Sequence, residues 1–158
     1  MIKKLITLEG FKKFQEILEK LKNTDRTRII KEIKKAREFG DLKENAEYHS
    51  AKNEQSLIEK KIKEFEEKIS NFEVIDTKII KDTSVVKFGA IIELMELKTQ
   101  KISIYQIVGE DEADIKNNKV SYKSPLSKIL LNKSLNQIID LITPNGIFKY
   151  QIKSIKYI

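Results

Sequence analysis

The chain has no cysteine, no tryptophan, one histidine and two prolines among its 158 residues. Without cysteine it forms neither disulfides nor thiolate metal sites. His49 alone rules out a multi-histidine metal centre. No apolar run approaches the ~20 residues that span a bilayer, and the opening MIKKLITLEG lacks the core of a signal peptide. These absences point to a cytoplasmic protein with no membrane partner. Charge, by contrast, is plentiful: 35% of residues are charged and 40% hydrophobic, as expected of a protein with a long solvated helical part. The net charge of +7 is heavier in the second half and is compatible with a partner that bears nucleic acid. Lysine is abundant throughout, however, and that abundance accounts for most of the excess.

What the chain does have is a helical pattern that reverses on itself. Phe11, Phe14, Leu18 and Leu21 are spaced three, four and three, and Ile58, Ile62, Phe65, Ile69 and Phe72 continue the same rhythm. Both are heptad seams, the pattern of helices packed as a coiled coil. Phe11 with Phe72, Phe14 with Ile69, Leu18 with Phe65 and Leu21 with Ile62 lie equally far from one point, midway between Asp41 and Leu42. The spacing therefore predicts an antiparallel helical hairpin over 1–76 with its tip near 40–45. Gly40 supplies the permissive backbone on which the rising helix ends, and Thr7 is its expected N-cap. At ~1.5 Å per residue, an arm of about 30 residues is roughly 45 Å long. The rising seam falters over KNTDRTR (22–28) and resumes at Ile29, Ile33 and Ala36, opposite a polar KNEQS (52–56). The middle of the hairpin is thus expected to be its least tightly packed section.

A second domain is expected over 77–158. EVIDTKIIK (73–81) carries no helical stripe and reads as the passage into it. Val86, Phe88, Ala90, Ile92 and Leu94 alternate as one face of a strand. Further strands are expected over 101–108, 120–122, 137–142 and 147–157, the last entered through the turn Pro144-Asn145-Gly146. In that last strand the apolar phase slips after Ile152, which predicts a bulge near Lys153–Ser154. Ser124 followed by Pro125 marks the cap and first position of a short helix over 125–131. The class is therefore a helical hairpin followed by an α+β domain with a mainly antiparallel sheet.

Asp41 and Glu44 are the residues at the tip with chemistry to offer. Three apart on a helix, two carboxylates share one face, with Cβ atoms ~5–6 Å apart, and could hold one divalent cation. The same pair also matches a D-x-x-E capping box, a common helix start, and the two readings can coexist. A hairpin needs only a turn at its apex, so two exposed acids there favour chemistry. Mg²⁺ usually takes one or two carboxylates, with waters and substrate phosphates completing its shell. A tip that binds Mg²⁺ would therefore complete its site on another molecule, and a two-metal phosphoryl-transfer site is a natural acceptor. Arg37 and Lys52 flank the tip on opposite arms, placed for a nucleic-acid backbone. Tyr48 continues the falling seam and reads as packing near the apex.

GDLKENAEYHSAK closely resembles the tip of bacterial transcript cleavage factors of the GreA type. TLEGFKKFQEILEKLK, VIDTK, FGAIIEL, IVGEDEADIK, SPLSK and TPNGIFKYQIKSIKYI resemble the same family in the same order, so the likeness covers essentially the whole chain. Leu42 and Glu47 favour the GreA type over the GreB type, which carries Arg and Asp there. The resemblance implies an FKBP-like C-terminal domain docked on bacterial RNA polymerase and a coiled coil threaded into the secondary channel. It implies that Asp41 and Glu44 help hold the second Mg²⁺ of the polymerase, which activates a water to cut the 3′ end of backtracked nascent RNA. It further implies that Arg37 and Lys52 approach that RNA and that Ser124, Pro125 and Leu126 take part in docking. On this reading the protein is a cytoplasmic monomer and not itself an enzyme. The segment ILLNKSLNQ departs from the family's glycine and acidic run, and this puts the details of docking in question. Two other functions compete: a regulator that occupies the channel without stimulating cleavage, and an independent prolyl isomerase. The retained tip acids argue against the first. The second lacks an evident aromatic-lined proline pocket.

Overall fold

The computed structural model describes residues 3–40 and 45–158, which divide by contact into two units. One unit is Phe11–Phe72; the other joins Glu73–Ile158 to the residues ahead of Phe11.

The first unit is the helical hairpin. Its rising arm comprises α1 (Leu8–Lys20), a π-helical turn (Leu21–Asp25) and α2 (Arg26–Arg37), and its return arm is α3 (Ala46–Ser70). Thr7 starts α1 as expected, its hydroxyl accepting from the Gly10 amide at 3.0 Å. Leu21, Ile29 and Ile33 bury against Ala51, Ile58 and Ile62, with Leu18, Tyr48 and Phe65 packed beside them. Toward the open end Phe14 meets Phe65 and Phe72, with ring centroids 5.3 and 5.2 Å away.

The π turn explains the faltering seam. A heptad continued from Leu21 would place its next apolar positions at 25, 28 and 32, yet the buried residues are Ile29 and Ile33, each one position late. One extra residue must therefore be absorbed without rotating the seam away from α3. A turn in which the Arg26 amide bonds to the Leu21 carbonyl, five residues back, does this. The polar stretch around it is bridged to α3 by ion pairs. Arg26 forks onto Glu59 at 2.7 and 2.8 Å, Arg28 reaches Glu54 at 2.5 Å and Lys22 reaches Glu66 at 2.6 Å.

The second unit is built on a five-stranded sheet: β3 (Ile91–Glu96), β4 (Ile102–Val108), β5 (Lys119–Ser121), β6 (Ile138–Thr143) and β7 (Gly146–Lys156). The order is β5-β4-β3-β7-β6, antiparallel throughout except for the parallel pair β4–β5. Ile92, Leu94, Ile107, Ile139, Ile152 and Ile155 form the core with Leu130 of the short helix α4 (Pro125–Leu130). Ser154 pairs with Glu93 and Ile152 with Leu94, which leaves Lys153 as the bulged residue that the phase slip predicts. Two short strands, β1 (Lys4–Thr7) and β2 (Phe72–Ile75), form a separate ribbon that the sequence pattern did not reveal. Four residues are too few to display an alternation.

One strand begins later than its pattern. Val86, Ala90, Ile92 and Leu94 are all buried, as the alternation requires, yet β3 starts only at Ile91. Gly89, with φ +88°, interrupts the extended path, and Val86 instead exchanges hydrogen bonds with the loop at Asn132 and Lys133.

Candidate functional site

Asp41 and Glu44 lie outside the described residues, within 41–44; the residues on either side are described. The rising arm ends with the Glu38 and Phe39 amides bonding back to Lys35 and Ala36 at 3.2 Å. Gly40 follows with φ +121°, a value side chains rarely adopt, in keeping with its expected role as the helix stop. The return arm starts later than a capping box on Asp41 would place it. Asn45 is the N-cap of α3, its Oδ1 accepting from the Tyr48 amide at 3.1 Å. The capping-box reading of Asp41 with Glu44 falls outside the described residues; α3 itself is capped by Asn45. The signal was present, since asparagine immediately before AEYHSAK is itself a cap signature.

The flanking basic residues have different surroundings. The Arg37 guanidinium lies 5.8 Å from the centre of the Tyr48 ring, a cation–π contact between the arms. Lys52 is exposed, its Nζ donating to Gln55 at 3.3 Å one turn further along α3. Tyr48 is half-buried against the apolar seam, the packing role its position suggests. Between the arms below the apex, Ala36, Phe39, Ala46, Ser50 and Ala51 line an open groove that exists because four of these side chains are small.

In the second unit the corner at Ser124, Pro125 and Leu126 forms a start to α4. Ser124 Oγ accepts from the Ser127 amide at 3.2 Å and bonds its hydroxyl at 3.0 Å, so its polar capacity is engaged within the helix. Pro125 is exposed at the first turn, and Leu126 packs on the core. The preceding residue, Lys123, is paired to Glu110 at 2.8 Å, and Glu110 also meets Lys4 at 3.5 Å. The hydrogen bond between them raises the Lys123 ammonium and lowers the Glu110 carboxyl from their ordinary values. Among the described residues no helix is long and apolar enough to cross a membrane.

Two family profiles match. One described as the N-terminal part of the GreA/GreB transcription elongation factors covers residues 4–74, and one described as their C-terminal part covers 81–157. Among curated proteins, a transcription elongation factor GreA of Buchnera aphidicola subsp. Schizaphis graminum is 49% identical, covering 97% of this chain and 96% of its own. One from Thioalkalivibrio sulfidiphilus is 45% identical over 100% of both. A solved GreA/GreB elongation factor from Nitrosomonas europaea aligns over 99% of this chain and 100% of its own, at 16% identity and a TM-score of 0.45.

Proposed function

This chain belongs to the GreA/GreB family of transcription elongation factors, and from that membership we propose that it stimulates RNA cleavage by a backtracked bacterial RNA polymerase. The coiled-coil hairpin enters the secondary channel of the polymerase and presents Asp41 and Glu44 to its active centre. The C-terminal unit docks outside through the Ser124-Pro125-Leu126 corner. The chain has no catalytic machinery of its own; it completes that of the polymerase.

The observation that carries this reading is the placement of the cap. Asn45 is the N-cap of α3, so the start of that helix needs neither Asp41 nor Glu44. Two carboxylates three residues apart in sequence are the residue types that share a divalent cation, which supports that role. The donor set suits Mg²⁺: two hard carboxylates, with the remaining positions left to waters, phosphate oxygens and ligands of the polymerase. Bound between protein and polymerase, the ion would lower the barrier to hydrolysis of the RNA phosphodiester. Asp41 and Glu44 would hold it; Arg37 and Lys52 would approach the RNA backbone, Arg37 steadied by the Tyr48 ring.

The test is RNA cleavage by a stalled elongation complex of the cognate polymerase across a Mg²⁺ titration. Asp41→Ala and Glu44→Ala are each expected to reduce stimulated cleavage by about 100-fold or more while polymerase binding persists. Stimulation that survives in both variants rejects the role of the acids. Binding by the wild-type protein without any stimulation would make it a channel-occupying regulator instead.

A further inference from the structure

The two edges of the five-stranded sheet are unlike. β5 is three residues long, contains Lys119 and runs parallel to its neighbour β4, the short and charged kind of edge that resists pairing with another chain. β6, IIDLIT, is twice as long and carries neither lysine nor proline. It is apolar on both faces. Ile139 is buried in the core, while Ile138 and Ile142 stand 52% and 76% exposed, beside Ile147 of β7 at 64%. Its backbone is open as well. The Asn136 amide donates to the Ile152 carbonyl at 2.8 Å, and the Ile152 amide donates to the Gln137 carbonyl at 3.0 Å. Antiparallel bonding alternates from there. Ile139 and Leu141 therefore bond to β7, and the N–H and C=O groups of Ile138, Asp140 and Ile142 point away from the sheet.

We propose that β6 is a self-association edge, which pairs antiparallel with β6 of a second copy of this chain about a two-fold axis at Asp140. The strand fits itself in one register. With Asp140 opposite Asp140 of the second copy, all three outward-pointing residues find backbone partners, and Ile138 faces Ile142 of the second copy. On one face Ile147, Ile142 and Ile138 of the second copy then form an apolar row across three strands; on the other, Ile139 faces Leu141 of the second copy. Asp140 against itself is the unfavourable pair. Each Asp140 has Lys149 on its other side, 4.0 Å away, so the row of four side chains across the junction is neutral. A junction of two short strands is small for an interface, so the dimer is weak and forms at about 0.1 mM chain and above. The monomer implied by the family resemblance is then the dilute state. This inference is independent of the RNA-cleavage reading.

The experiment is sedimentation equilibrium of the full chain from ~10 µM to ~1 mM, with Ile142→Lys, Asp140→Asn and Ile104→Lys beside the wild type. The wild type is expected to pass from monomer to dimer, more completely at ~0.3 M than at ~0.05 M salt, because two chains of net charge +7 repel. Ile142→Lys weakens the dimer about tenfold or more, since a lysine guards an edge against pairing. Asp140→Asn strengthens it about twofold or more by removing the like charges that face each other. Ile104 is as exposed as Ile138 on the same face but lies on β4, and Ile104→Lys leaves the dimer unchanged. A monomer at ~1 mM in both salts overturns the proposal and leaves the edge to an extended segment of another protein. So does a dimer that Ile142→Lys spares or that Asp140→Asn fails to strengthen. Loss of the dimer in Ile104→Lys also overturns it, being the mark of contact between sheet faces. A second measurement uses the wild type alone. Amide exchange at Ile138, Asp140 and Ile142 is expected to slow about threefold or more between ~10 µM and ~1 mM, while Leu141, already bonded to β7, does not change. Exchange independent of concentration overturns the pairing.

Discussion

Gly40 and Gly89 both hold backbone that side chains rarely adopt, but their surroundings differ. A Cβ at Gly40 meets nothing within 4 Å, so Gly40→Ala carries only the backbone cost, about 1–2 kcal/mol. At Gly89 a Cβ runs into the methyl of Thr77, a buried residue whose hydroxyl donates to the Ile158 carbonyl. Gly89→Ala therefore adds a steric cost to the backbone cost, roughly 2–4 kcal/mol in all. Urea unfolding of the two variants checks this, and equal losses would contradict it. Gly40 is legible from sequence because a glycine that ends a heptad seam has a local reason to be there. The reason for Gly89 lies twelve residues away in Thr77, which no local pattern connects to it.

At the scale of the element, the π turn makes a sharp prediction. It absorbs one residue that the heptad does not accommodate, so deleting one exposed residue, Thr24, removes its cause. Ile29 and Ile33 then fall on the uninterrupted heptad from Leu21, and α1 and α2 merge into one regular helix. Thermal unfolding by circular dichroism is expected to show no loss of stability, whereas deleting both Asn23 and Thr24 turns the distal seam away from α3 and destabilises the hairpin. The ion pairs flanking this turn respond to pH. The hydrogen bond from Arg26 holds the Glu59 carboxyl below its ordinary 4.5. A depressed carboxyl contributes stability above its ordinary value, and that contribution is lost as pH falls through the folded value. Arg26→Gln should therefore lessen the acid-side loss of hairpin stability below about pH 4.5, with the wild-type difference shrinking at high salt because the pair is exposed. An identical acid profile in both proteins would count against the pairing.

At the scale of the whole molecule, the second unit is discontinuous in sequence. The Glu112 carboxylate accepts from the Thr7 amide at 2.8 Å, from the Thr7 hydroxyl and from the Gly109 amide at 3.0 Å, so the beginning of the chain is fastened beside the end of β4. Glu112→Ala strips a carboxylate from three donors and is expected to cost roughly 2–3 kcal/mol. Amide exchange locates that cost: faster exchange in β4 and β3, with little change at Ile58 and Ile62 of α3. Uniform acceleration through α3 would argue against two units. Residues 77–158 expressed without the first ten residues should likewise be less stable than the same sheet in the full chain, because the Thr7 bonds are missing.

Sequence alone determined the features whose cause is local. Heptad spacing set the hairpin and its apex, Ser124-Pro125 set the start of α4, and the phase slip after Ile152 set the bulge at Lys153. The roles proposed for Asp41, Glu44, Arg37 and Lys52 rest on residue type and place in the sequence. Tertiary structure decided what depends on distant partners: the β1–β2 ribbon, the parallel β5, the fastening of Thr7 to Glu112 and the bond from Asn45 to Ala36. The physical reason is that periodicity reports which face of an element is buried. A hydrogen bond between residues 9 or 105 positions apart depends on how the elements have already been brought together.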